Sequence, residues 1–433
     1  LPVVVAWAAW RQWSHPHQRA AHARPLAGLD PAALSMQADP LADDTITALI
    51  GRRTNDSAVT GEGAARLAQA NQLMSAWTHN AALAPGWAAA SPADPEVAAA
   101  LEAYVAQARA LPDWADAGKI ARAEAIFMEH GPLSCTLLFC SSLPECYVMP
   151  QLAEVLHIAG QLEQHTEHRI RQTAAMVFPV MMKGGLTDPE GSGVAQVLKV
   201  RLIHATIRHL ILRGDPQKVR GRVLPQLLAG ADRSMHRALA AHGWDVDAQG
   251  LPCNQIELAY TLLTFSYSFL KGMRTLGLGL PREDEEAYLH AWNVMGHVLG
   301  VRRELMAWTM DEAAALFDVL QAQAPLLPGQ ADPRPPLGRA LVAAMAHSIR
   351  VPVLRGLPVP LTRWLIGPET ATRIGIDEHV SWATRLVFQV GRLLVGVGEA
   401  VSADTVVART ELPGNVQTVN IAAKLALDPA RVP

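Results

Sequence analysis

The sequence predicts an all-α protein, and two observations carry that prediction. Ala, Leu and Val dominate a chain in which hydrophobic residues make up 50% and charged residues 18%, and the apolar positions recur at helical spacing with Gly and Pro marking the ends. The alternation expected of strands hardly occurs. The same composition describes a folded rather than a disordered chain. At 433 residues the length allows two or three units, but helical proteins of this size often form one continuous core. The expected division is an N-terminal arm over 1–56, a helical core over 57–330, and a C-terminal helical extension over 331–433 packed on that core.

The first forty-odd residues, with "WSHPHQRAAHARPLAGLDP", lack a clean period and read as an arm laid over the body. From Ser57 onward helical patterns follow one another through "EGAARLAQANQLMSAW", "DPEVAAALEAYVAQARAL" and "DAGKIARAEAIFMEHG". In the second, Asp94 suits a cap and Pro95 the first helical turn. "MPQLAEVLHIAG" begins with Pro150 and ends with Gly160, the asymmetry of a short helix. A longer helix through "EQHTEHRIRQTAAMVF" meets Pro179, which should kink or end it. The turn-rich "KGGLTDPEGSG" leads to a helix carrying His204, and further helices follow through "NQIELAYTLLTFSYSFLKGMRTLG" and "REDEEAYLHAWNVMGHVLGVRRELM". Pro content rises after about Gln330, before a last helical segment.

Several function classes drop out. A net charge of −3, with basic residues spread along the chain, gives no footprint for nucleic acid. Cys135, Cys140, Cys146 and Cys253 are too few for a disulfide scaffold and form no CxxC, CxxCH or zinc spacing; they read as small buried apolar residues, with one bridge among the first three as the alternative. No charge-free run of about 20 apolar residues occurs. There is no Walker or dinucleotide glycine motif and no solenoid repeat. The chain begins at Leu1 rather than a methionine, which reads as a processed or trimmed form in which a targeting peptide, if there was one, is no longer visible.

On its helix, His204 shares a face with Val200 and Arg201 one turn before and with Ile207 and Arg208 one turn after. An imidazole on so apolar a face is either a core histidine donating to a carbonyl or an axial ligand to a b-type haem. On the second reading the flanking arginines would serve the propionates, and His209, directed elsewhere, is structural. On the preceding helix Arg169, Gln172, Thr173 and Met176 follow i, i+3, i+4, i+7. They form either a half-exposed edge or a distal wall whose donors stabilise dioxygen. Glu154, between Ala153 and Val155, faces solvent or, if buried, becomes a general base. Two other metal readings are weaker. Glu154 to His157 is an ExxH pair without a second copy, and His165 to His168, "HTEH", holds the HxE half of a facial triad in a polar, charged stretch.

Five segments taken together, "HGPLSCTLLFCSSLPECYVMP", "RIRQT", "VRLIHATIRH", "GLPCNQIELAYTLLTFSYSFLKGMRTLGL" and "EAYLHAWNVMGHVLGVRRELM", resemble the latex clearing proteins. These are rubber oxygenases in the superfamily of the fungal mycophenolic-acid-pathway oxygenase. The likeness covers about Trp114 to Met306. It implies a globin-like helical core around haem b with additional N- and C-terminal helices, and a secreted protein, extracellular or periplasmic, acting as a monomer. The implied activity is oxidative cleavage of the double bonds of poly(cis-1,4-isoprene) with dioxygen as co-substrate, giving aldehyde- and ketone-ended oligo-isoprenoids. Other isoprenoid or lipid chains as substrates, or an oxygen carrier or sensor without turnover, are the alternatives.

The resemblance assigns His204 as the proximal iron ligand. It matches Arg169, Gln172 and Thr173 to a distal Arg-x-x-Lys-Thr set, and places a catalytic glutamate at Glu154, at a spacing to Arg169 that differs by one residue. Gln172 stands where the family pattern has a lysine that occupies the distal iron position in a closed state. Glutamine is a far poorer ligand, so an open or water-ligated distal position is expected. The substrate offers no polar handle, so an apolar tunnel must bind it, at about 25 cal/mol per Å² buried.

Overall fold

Proline behind an acidic cap starts one helix after another. The computed structural model describes residues 29–51, 59, 61–88, 93–160, 166–213, 244–323, 326, 329, 331–377 and 379–395, the side chains of 159–160, 166–172 and 393–395 excepted. In it Asp30 and Asp39 accept backbone N–H groups at the starts of α1 (Pro31–Ser35) and α2 (Pro40–Ile50), each with proline in its first turn. After α3 (Gly61–Met74), Asp94 caps α4 (Pro95–Ala108) in the same way, as its sequence implies. Each such cap satisfies a donor that the helix itself leaves unpaired.

Next, α5 (Ala117–Glu129) and α6 (Gly131–Leu137) are followed by a π-helical turn, Leu138–Ser142, and α7 (Leu143–Cys146). The helix expected between Pro150 and Gly160 is α8 (Pro150–Gly160). In α9 (Thr166–Met181) Pro179 lies two residues from the end, so the helix stops soon after the residue that cannot donate to its ladder. Then come α10 (Gly193–Leu212), which carries His204, and the short α11 (Val246–Gln249). "NQIELAYTLLTFSYSFLKGMRTLG" forms two helices, α12 (Gln255–Phe265) and α13 (Tyr267–Thr275). The break falls at Ser266, whose Oγ donates to the Leu262 carbonyl at 2.9 Å and competes with the backbone ladder. The chain continues through α14 (Arg282–Leu299), α15 (Met310–Ala322), α16 (Arg334–Ser348), α17 (Pro358–Ile366), α18 (Pro368–Arg373) and α19 (Trp382–Val395). No strand occurs among the described residues.

Residues 31–50 differ from the arm that the sequence suggests over 1–56. Leu34, Ala42, Ile46, Leu49 and Ile50 belong to the main core, and α2 packs against α4 and α10. Its apolar stripe is short and interrupted by Asp43 and Asp44, which is why no period stands out. Residues 1–28 lie outside the described residues. The core itself centres on α14, where Tyr288 and Trp292 are fully buried and Trp292 stacks on Phe265. In turn α10 packs against α9, α2 and α14.

The connection between α9 and α10 sets how those two helices meet. Asn80 donates through Nδ2 to the carbonyls of Gly185 and Asp188 at 2.9 and 2.8 Å, and its Oδ1 accepts the Ala195 N–H. Glu124 accepts the Gly184 N–H at 2.8 Å. Gly185 lies so close to the end of α9 that an added Cβ would stand 2.1 Å from the Pro179 carbonyl oxygen. Gly185→Ala is therefore expected to lower the unfolding free energy by about 1–3 kcal/mol, as overpacking does. A denaturation midpoint equal to wild type would show that the turn yields freely.

Candidate active site

The site grows from α10. Leu198, Leu202 and Ala205 are buried on its inner side, and the Tyr104 hydroxyl donates to the Leu198 carbonyl at 2.9 Å. Arg201 and Arg208, flanking His204, are buried. Arg201 makes a two-pronged contact with Asp39 through Nε and Nη2 and donates through Nη1 to the Val298 carbonyl at 2.9 Å. Arg208 donates to Asp43 through Nε and Nη2 at 2.9 and 2.6 Å, and through Nη1 to the Cys253 carbonyl at 3.0 Å. Both guanidinium groups are thus occupied by protein carboxylates and carbonyls. That corrects the expectation that they serve propionates, because Asp39, the cap of α2, and Asp43 within it already neutralise them. His209 has Nε2 3.3 Å from Asp43 Oδ1, in agreement with a structural role. Burial raises the Asp43 pKa, but the His209 hydrogen bond and the Arg208 charge outweigh it and hold the carboxyl below its ordinary range.

His204 keeps part of its surface accessible, yet protein surrounds the ring closely. Burial first, and then the Arg208 charge, push its pKa down to about 4, so the imidazole is neutral at pH 7. Its Nδ1 is buried and meets no hydrogen-bond partner among the described residues. The carbonyl bond of a core histidine is therefore not made through Nδ1.

The side chains of Arg169 and Gln172 lie outside the described residues. Thr173 is half-buried on α9, which packs along α10. At 1.5 Å per residue, Thr173 is about 12 Å before the end of α9 and His204 about 16 Å beyond the start of α10. The two stand within about one helical turn of the same level from their common turn.

Glu154 on α8 is buried, and its Oε2 accepts from Gln249 Nε2 at 2.6 Å. Beside it, Val155 and Ile158 join Leu210, Ile211 and Cys253 in a small apolar cluster, with Ile207 and Trp244 packed on it. This cluster ties the Glu154 helix to the His204 helix, so the two residues border the same apolar region. No group of three His, Cys, Asp or Glu able to hold a metal ion occurs among the described residues, and His165 to His168 lie outside them. All four cysteines are free.

Sequence reasoning missed Glu257. It is buried on α12, with Oε2 accepting the Cys253 N–H at 2.7 Å and Oε1 lacking any partner among the described residues. Burial raises its pKa to about 8 against the pull of the Cys253 and Asn254 N–H groups and Arg208, and the Glu154 charge adds to the rise. Cys253 has the positive φ of 54°, strained for a side chain of its size, and is held there by Arg208 and Glu257. The legible signal was an acid inside the apolar run "QIELAYTLL". Asp39 and Asp43 gave none, because nothing in the order of residues says which arginines they meet.

Residues 145–397, more than half of the chain, match the family of the ER-bound oxygenase mpaB/B'/Rubber oxygenase, catalytic domain, and the chain belongs to that family. The family is one of oxygenases. It is similar to a rubber oxygenase of Streptomyces sp. (strain K30), 26% identical over 316 residues that make up 71% of this chain and 66% of that protein, just under two thirds of its length. A solved structure, that of Latex Clearing Protein LCP in the closed state, aligns with a TM-score of 0.61 at 24% identity, covering 86% of this chain and 85% of the other. It shows the fold, and with it the all-helical class read from the sequence. No helix among the described residues is long and apolar enough to cross a membrane.

Glu257 has a readable pH signature. The folded chain holds its proton to about pH 8, whereas the unfolded chain releases it near pH 4.3. The associated stability is complete below the lower value and is lost as pH rises through the upper one. Glu257→Gln should therefore gain in Tm relative to wild type from pH 5 to pH 8, and parallel Tm profiles would show that Glu257 ionises normally.

Proposed function

We propose that the protein is a haem b-dependent dioxygenase that cleaves the double bonds of poly(cis-1,4-isoprene) to oligo-isoprenoids with aldehyde and ketone ends, acting outside the cell. The observation that carries this reading is His204, a neutral imidazole with a buried, unpartnered nitrogen in a chain of an oxygenase family. Such a residue fits a b-type haem, which needs one uncharged nitrogen donor on a rigid helix. The name of the Streptomyces relative supports rubber as the substrate.

His204 would hold the iron, and the arginine–aspartate contacts on either side keep α10 from shifting. Haem bound there supplies the redox chemistry by which dioxygen adds to a carbon–carbon double bond. Thr173, with Arg169 and Gln172 on the same helix, orients dioxygen by hydrogen bonding. Glu154 takes an allylic proton from the isoprene unit. The Gln249 amide fixes its carboxylate, and Val155, Ile158 and Ile207 keep water from the proton in transit. Arg208 is committed to Asp43, so it anchors the helix instead of competing for the substrate.

His204→Ala is expected to abolish the haem absorbance of the purified protein. Glu154→Gln should retain the spectrum while kcat falls by about 10²–10⁴-fold, the usual contribution of a general base. Full activity in the second variant would remove Glu154 from the reaction. With Gln172 in place of lysine, the ferric protein is expected to lack the spectrum of a strong-field nitrogen sixth ligand. Incubation with latex under air should yield carbonyl-ended oligomers by mass spectrometry. A haem-loaded protein that yields none from latex, but cleaves a shorter isoprenoid, would move the substrate to that class.

A further inference from the structure

The C-terminal described helix, α19, carries more apolar surface than its packing uses. Its inward face is already filled. Thr384 is buried and so close to Gly356 that a Cβ there would stand 2.5 Å from its Oγ1, and Phe388 meets Trp364 edge-on at 5.9 Å. A second stripe, at i, i+4 and i+8, points away from these contacts: Trp382 is 80% exposed, with Leu386 and Val390 also exposed. The neighbouring 3-10 turn, Pro352–Leu354, against which α19 packs, adds exposed Val351 and Val353. Single exposed apolar residues are ordinary, but five on adjoining elements form a patch of the kind that marks an interaction site.

The charge around the patch says what covers it. In a chain of net charge −3, residues 333–368 contain five arginines and no Asp or Glu, and residues 379–395 contain two arginines and no Asp or Glu. Exposed Arg355 adjoins Val353 and exposed Arg385 lies on α19 beside the apolar stripe, while Arg392 lies over the Trp364 ring, 5.3 Å from its centroid, on the packed side of the helix. Two copies meeting through this face would bring Arg355 and Arg385 together and repel. A helix with an apolar stripe, an interfacial tryptophan and an arginine at its edge suits a surface that is greasy inside and negative outside.

We propose that the face formed by Trp382, Leu386, Val390, Val351 and Val353 docks the protein peripherally onto an anionic phospholipid surface, with Arg355 and Arg385 at the headgroups. The apolar side chains enter the acyl boundary and the guanidinium groups remain at the phosphates. This holds whatever substrate the active site takes, because none of these residues belongs to it.

The test is co-sedimentation of the full-length protein with vesicles of phosphatidylcholine, with and without phosphatidylglycerol, at low and high salt. Binding is expected only with phosphatidylglycerol, weakening with salt. Arg355→Gln and Arg385→Gln should each reduce it about fivefold, and Trp382→Ser with Leu386→Ser should abolish it, with circular dichroism unchanged. Binding equal on both vesicle types, or on neither, overturns the proposal. So does a lipid-free wild-type dimer that Trp382→Ser with Leu386→Ser makes monomeric, since a second copy would then be the occupant. If that pair unfolds the protein, the arginine variants and the salt series still decide.

Discussion

Two arginine–aspartate contacts between α10 and α2 hold the candidate site in place. Arg201, paired with Asp39, and Arg208, paired with Asp43, lie on the same helix as His204, one on each side of it. Burying such pairs contributes little net stability, since desolvation roughly offsets the attraction. What they supply is position. Sliding α10 along α2 would leave a guanidinium group and a carboxylate unpaired in the interior, at about 3–5 kcal/mol for each broken pair. An apolar contact surface imposes no comparable penalty, because leucine and valine side chains repack. The imidazole therefore stays put although its own helix is otherwise greasy.

The same contacts shape the electrostatics around the imidazole. The Arg208 charge helps keep His204 unprotonated, and with Asp43 and His209 it forms a set whose charges are largely balanced. Farther along, Arg208 reaches the carbonyl of Cys253 and so touches the loop that Glu257 also grips. Glu154 and Glu257 influence each other across this region. Burial dominates that balance, so the Glu257 carboxyl holds its proton to about pH 8.

Much of the fold was legible in the sequence, because helix starts and stops are local. Asp94 and Pro95, Pro150 and Gly160, and Pro179 announced themselves through capping and ring chemistry that acts within a few residues. His204 was singled out for its apolar face, and Thr173 for its stripe, although the roles assigned to them are proposals. The partnerships were not legible. Asp39 meets Arg201 across 162 residues, and no periodicity encodes that pairing. The arginines consequently looked available for a ligand when they were already engaged. Glu257 went unnoticed for a related reason: an acid in an apolar run becomes meaningful only once its surroundings are known to be dry.

The segment that defines the family begins at residue 145, whereas the counter-charges for α10 come from residues 39 and 43 and the pin on its leading turn from Asn80. Cut at the family boundary, the C-terminal piece would carry bare guanidinium groups in its interior and a loosened turn. The segment that matches the family is therefore not a detachable module. In any recombination of this chain with a relative, the N-terminal helices and the His204 helix must be exchanged as a matched set.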